Sequence, residues 1–114
     1  MAKKHVMVIM SNAVKGREDE YNAWYTNQHV PDVLKVTGMV AAQRYKLGPV
    51  QRQGVAPAKW QYMAVYEIET DTPEATFADL ARRARGPQMP LSDAITDTWG
   101  YVFEPITERV LAPK

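Results

Sequence analysis

The chain has 114 residues, 46% of them hydrophobic, with a formal net charge of +1, which suits one compact domain with a single core. So small a charge sets up no long-range field for nucleic acid or an anionic membrane surface, and neither is an expected partner. The absence of cysteine excludes disulfides, thiolate nucleophiles and Cys-type zinc sites, and two histidines, His5 and His29, are too few for a three-histidine metal centre within one chain.

The basic start Met1-Ala2-Lys3-Lys4 is followed by a short apolar run, Val6 to Met10, which meets Ser11-Asn12 without a cleavage-site pattern and reads as a strand rather than a leader. That first strand is expected over about His5 to Ser11, with Val6, Val8 and Met10 on one face and Met7 and Ile9 on the other, so both faces should be covered. No apolar run approaches the roughly eighteen residues of a membrane span, and a soluble cytoplasmic protein is the expectation.

A first helix follows Gly16. Glu18-Asp19-Glu20 occupy its opening turn, where acidic groups meet the positive end of the dipole, and Tyr21, Trp24, Tyr25 and Gln28 recur at helical spacing. Pro31 disfavours α geometry at Val30, which predicts a kink near His29 and a short continuation from Pro31 to Val36, closed by Thr37-Gly38. A second strand is predicted from Met39 to Leu47 and a third from Trp60 to Glu69. The loop 48–59 between them, with two prolines and two glycines, is long for a hairpin.

The second helix has both ends written in sequence. Thr72 is the N-cap and Pro73 the first helical position, while Arg82, Arg83, Arg85 and Gly86 mark the end. In a last turn those arginines complement the macrodipole, and that place explains the cluster better than nucleic-acid binding does. Pro87 and Pro90 then flank Gln88-Met89, a turn follows near Ser92 to Ile95, and a last strand runs from about Thr98 to Pro105.

The order β-α-β-β-α-β predicts an α+β, ferredoxin-like fold, with both helices on one face of a four-stranded antiparallel sheet. Third-strand positions of both parities are apolar, Trp60, Tyr62, Ala64, Tyr66 and Ile68 against Met63 and Val65. A sheet face left to water is therefore not expected, and isologous dimerisation through the sheets is the simplest cover.

Chemistry concentrates in Tyr21 to Asp32. His29 titrates near neutrality, Tyr25 lies one turn earlier on the same face, and Asp32 three residues later is placed either to fix the imidazole tautomer or to cap the short helix. The plainer alternative is an imidazole that bonds a carbonyl freed by Pro31. His5, beside Lys3-Lys4 at a strand start, is expected to be partly exposed. Trp24, Tyr45, Trp60, Tyr62, Tyr66, Trp99 and Tyr101 are much amphipathic aromatic surface for a short chain, divided between core, dimer seam and pocket. Arg44 on a strand calls for a carboxylate, either Glu67 or one on a ligand.

The run Trp24-Tyr25-Thr26-Asn27-Gln28-His29-Val30-Pro31-Asp32-Val33-Leu34, together with Thr37-Gly38-Met39 followed by Arg44-Tyr45 and with Tyr62 to Ile68, resembles the EthD-like group of dimeric α+β barrel proteins. The resemblance implies a homodimer with sheets packed face to face, a pocket between each sheet and its helices, and a histidine that works without cofactor. Relatives of that kind include lactone isomerases, polyketide cyclases and anthrone-type oxygenases.

The reading that follows is a cofactor-free, metal-free enzyme acting on a small cyclic or aromatic carbonyl compound, an isomerase, cyclase or lyase such as serves the catabolism of aromatic compounds. His29 takes a proton beside the carbonyl, Tyr25 or Tyr66 donates to the enolate oxygen, Arg44 holds a carboxylate, and Trp24 and Tyr45 line the pocket. The alternatives are an oxygenase in which Asn12 and a tryptophan shape the site, and a non-catalytic dimeric metabolite-binding or accessory protein. Haem would have to use His29, since the second helix has no histidine.

Overall fold

Four strands, β1 (Lys3–Ala13), β2 (Met39–Lys46), β3 (Tyr62–Thr70) and β4 (Ile95–Phe103), form one sheet in the order β2-β3-β1-β4. The computed structural model describes residues 2–114. Every pairing is antiparallel, and β3 separates β2 from β1. That is the split arrangement expected of a ferredoxin-like α+β chain. The strand ends lie within three residues of the expected positions, the largest difference being at β4, which begins at Ile95 rather than Thr98.

Between β1 and β2 the chain runs through α1 (Glu18–Trp24), a π-helical segment Tyr25–His29 and α2 (Val30–Val33). Between β3 and β4 lies α3 (Pro73–Arg83). Period-two alternation decides the faces. His5, Met7 and Ser11 of β1 and Ala64, Tyr66 and Ile68 of β3 are buried toward the helices, and pairs such as Met7 with Tyr66 and Ile9 with Ala64 stand side by side there. Tyr21, Tyr25, Val33 and Val36 close over them with Phe77 and Leu80 of α3. Full burial of a side chain such as Ile68 contributes roughly 1.5–3 kcal/mol.

The kink expected at Pro31 takes a specific form. The Val30 amide donates to the Tyr25 carbonyl, five residues back. Pro31 has no amide, and in α geometry its ring would press on the carbonyl four residues earlier, so the widened π turn relieves the clash without interrupting the helix. The continuation ends at Val33, and Leu34 to Val36 follow as tightened turns, with the Val36 amide donating to the Val33 carbonyl at 3.0 Å.

His5 departs from expectation: it is buried at 4% exposure, with Nε2 unpartnered and Nδ1 4.0 Å from Glu104. It faces inward because its register partner is Ile68, on the helix side of the sheet. The opposite sheet face carries Val6, Val8, Met10, Met63, Val65, Trp99, Tyr101 and Phe103, with Tyr101 60% and Phe103 49% exposed. Among the described residues no helix belongs to that face, and it stays partly open to solvent.

Candidate functional site

His29 ends the π-helical segment, and its ring is packed by aromatics on two sides. Trp24 stacks on it with centroids 4.7 Å apart and planes 29° from parallel, and Tyr25 meets it edge-on at 5.0 Å. The Trp24 indole N–H donates to the Pro90 carbonyl at 3.1 Å, so the stacking platform is itself tied down. Nδ1 of His29 is buried with no hydrogen-bond partner. The alternative of an imidazole bonded to a freed carbonyl does not apply to that nitrogen, and Nε2 remains for a ligand.

The ring opens on a cavity of about 250 Å³ between the sheet and the helices. Met7, Ile9, Val33, Leu80 and Met89 make most of it apolar, and Tyr25, Tyr66 and His29 are the polar side chains deep in its wall. The Tyr66 hydroxyl is buried without a partner of good geometry. Buried polar groups are nearly always bonded, so two unpartnered ones beside a single cavity are a notable feature.

Burial sets the protonation states. It lowers the His29 pKa below the ordinary imidazole value, with Asp32 pulling weakly the other way. It pushes Tyr66 up to about 12, opposed by the neighbouring Tyr25 phenol and by Arg44. Tyr25 is raised further, by burial first and then by Tyr66. At neutral pH the cavity therefore presents a neutral imidazole and two neutral phenols, one base and two donors.

Other expected site residues lie elsewhere. Asp32 is buried but bonds Gln28 Nε2 at 2.7 Å, with Lys35 Nζ 3.7 Å away, and no hydrogen bond joins it to His29. It stands in the first turn of α2, as the capping alternative had it, without a side-chain cap bond. Arg44 meets neither Glu67 nor the cavity. Its guanidinium donates to Thr26 Oγ1 at 2.8 Å and Asn22 Oδ1 at 2.9 Å, lies 4.5 Å from the Tyr25 ring centroid, and lines a separate cleft with Tyr45 and Lys46. Aromatic faces stand in for the carboxylate.

Tyr45 is 43% exposed and bonds Gln43, outside the His29 cavity. Asn12 staples the loop after β2 to the start of β4: its amide donates to the Lys59 carbonyl and to Asp97, and its oxygen accepts from the Gln61 amide at 2.8 Å. Both were expected to touch substrate, and neither reaches the cavity.

Against solved structures the whole chain aligns. A proposed monooxygenase from Shewanella loihica PV-4 matches with a TM-score of 0.64 at 14% identity, over 94% of this chain and 98% of the other. An EthD-like protein from Ralstonia eutropha JMP134 matches with a TM-score of 0.63 at 17% identity, over 96% and 97%. The fold is shared with both proteins, an α+β chain with a four-stranded antiparallel sheet of ferredoxin-like order.

The heme-degrader MhuD from Mycobacterium tuberculosis shares this fold, with a TM-score of 0.60 at 15% identity over 93% and 99%. No family model and no curated protein matches the chain by sequence. Within this fold the cavity takes wall residues from the segment after α3, Arg85, Met89 and Leu91, that sequence reasoning placed in a helix end and a connection. The one signal for them was the density of prolines around Gln88-Met89, which ends regular structure and lets the chain fold back over the core.

Proposed function

We propose that the chain is a cofactor-free enzyme for a small cyclic or aromatic carbonyl compound, with His29 as its base. The observation that carries this reading is the pairing of His29 and Tyr66 on the wall of one apolar cavity, each with a buried, unpartnered polar atom. In the step envisaged, a C–H bond beside the substrate carbonyl breaks. The proton goes to Nε2 of His29, and the electron pair moves to the carbonyl oxygen. The neutral Tyr66 hydroxyl donates to that oxyanion, with Tyr25 beside it as a second phenol. Return of the proton to another atom completes an isomerisation, and attack of the enolate on a second carbonyl completes a cyclisation.

A second reading draws on the likeness to a proposed monooxygenase. The same carbanion reacts with O2, a CH2 group becomes C=O, and the second oxygen atom leaves as water, with all four electrons supplied by the substrate. Asn12 has no part in it, being bound to the Lys59 carbonyl and Asp97. Oxygen consumption separates the two readings.

MhuD is described with two hemes bound in its active site. The present cavity does not fit haem. α3 has no histidine, and the cavity's imidazole is stacked flat on Trp24.

The uncovered sheet face supports a homodimer with sheets face to face, because Tyr101, Phe103 and Tyr45 are large and exposed on it. The enzymatic reading is tested by substituting His29→Ala and following turnover of small aryl ketones and lactones. Loss of general-base catalysis should lower the rate by about 10²–10⁴-fold. Undiminished turnover would remove His29 from the mechanism.

A further inference from the structure

The turn that ends α3 is built against the grain of its sequence. Ala84 adopts φ −58° and ψ 133°, Arg85 has φ +64°, and the Gly86 amide donates to the Arg83 carbonyl at 3.1 Å. These are the marks of a type II turn, whose third position needs positive φ and ordinarily takes glycine. The chain has a glycine one residue later, at Gly86, which does not use positive φ. The strained position is given to an arginine. It is held there because the Arg85 amide donates to the Met89 carbonyl at 3.1 Å and Met89, with its amide on the Gly86 carbonyl, is buried in the core. Backbone strain kept by surrounding contacts points to a functional position.

Its position is the mouth of the His29 cavity. Arg85 lines that cavity and also the adjoining cleft of about 410 Å³ formed with Leu91, Ser92, Asp93 and Thr98. The buried wall residues Met7, Tyr25 and Tyr66 belong to the inner space alone. Charge accounting isolates Arg85 further. Arg82 and Arg83 pair with Asp79, and Asp93, the one carboxylate in the cleft, is held by Arg17 at 2.6 Å. Arg85 has no carboxylate partner among the described residues.

Resting on the reading of the His29 cavity as a ligand site, we propose that Arg85 is its anion anchor and that the ligand is an organic acid with an apolar cyclic body. The body fills the space beside Met7, Ile9 and Leu80, and the acid group takes the paired N–H donors of the guanidinium at the opening. Arg85 thereby fills the role that Arg44, engaged with Asn22 and Thr26, does not.

The test is calorimetric titration of the full chain with 2-naphthoate and with uncharged 2-naphthamide. The native chain should bind the acid about tenfold or more tightly than the amide, and Arg85→Gln should lower affinity for the acid alone by about that factor. Arg85→Gly, which relieves the backbone, should lose the same preference with a Tm no lower than that of the native chain, showing that the loss is not unfolding. Equal binding of acid and amide by the native chain, or a preference that survives Arg85→Gln, overturns the role of Arg85 while leaving the cavity reading intact. Failure of both probes to bind overturns both.

Discussion

His29 is governed by burial more than by any partner. Because the neutral ring is favoured in the folded chain, its pKa lies below the ordinary value of 6.5. Between the two values the unfolded chain binds more protons, so the stability tied to neutral His29 is full above pH 6.5 and is lost as pH falls. The same shift predicts that the acid limb of kcat/KM has its midpoint below 6.5, and a midpoint above that value would mean that another group titrates or that the cavity is wetter than its walls imply. Residue type and helical spacing made His29, Tyr25 and Trp24 legible in the sequence. Of the two readings of Asp32 the structure has the one at the start of the short helix, since Gln28, four residues back, bonds the carboxylate and His29 does not. Arg44 was misjudged because its partners, Asn22 and Thr26, are amides and hydroxyls on another element, and nothing local advertises them.

The elements followed their patterns where a pattern existed. Alternation gave the strands, and Thr72-Pro73 gave the start of α3, although Thr72 makes no side-chain cap bond to the helix and bonds Thr70 instead. The end of α3 was misjudged because Gly86 is the better sequence signal for a left-handed residue, and tertiary contacts through Met89 assign that geometry to Arg85. The π turn before Pro31 was foreseen only as a kink, since proline chemistry says that α geometry must yield and does not say how. Gly38 offers a test of the link from the first helical run to β2. It has φ +103°, its carbonyl accepts the Glu69 amide at 2.8 Å, and an added Cβ would lie 3.0 Å from Thr76 Oγ1. Gly38→Ala should cost about 1–3 kcal/mol in denaturant unfolding. An unchanged midpoint would show that this turn adapts freely.

At the scale of the whole molecule, the radius of gyration is 15.7 Å, against roughly 13 Å for a compact chain of this length. Residues beyond β4 are exposed, with Ile106 at 96%, Val110 at 85% and Leu111 at 69%. Among the described residues no helix is long and apolar enough to cross a membrane. An open apolar sheet face and the exposed Ile106, Val110 and Leu111 beyond it suit a second copy of the chain, and light scattering should give twice the chain mass, with Tyr101→Asp shifting it toward monomer. A native chain that stays monomeric at micromolar concentration would contradict the dimer. Period-two apolarity on both strand faces made this surface legible, whereas the cavity, assembled from β1, β3, β4, both helical runs and the segment after α3, has no linear signature.

If His29 is the base proposed for that cavity, NMR should reveal it in the exchange of the α-hydrogens of 2-tetralone for deuterium in D2O, which needs no knowledge of the natural product. The native chain should speed exchange over buffer, and His29→Ala should remove about 99% or more of the acceleration. Equal acceleration by the variant would rule out proton removal by His29.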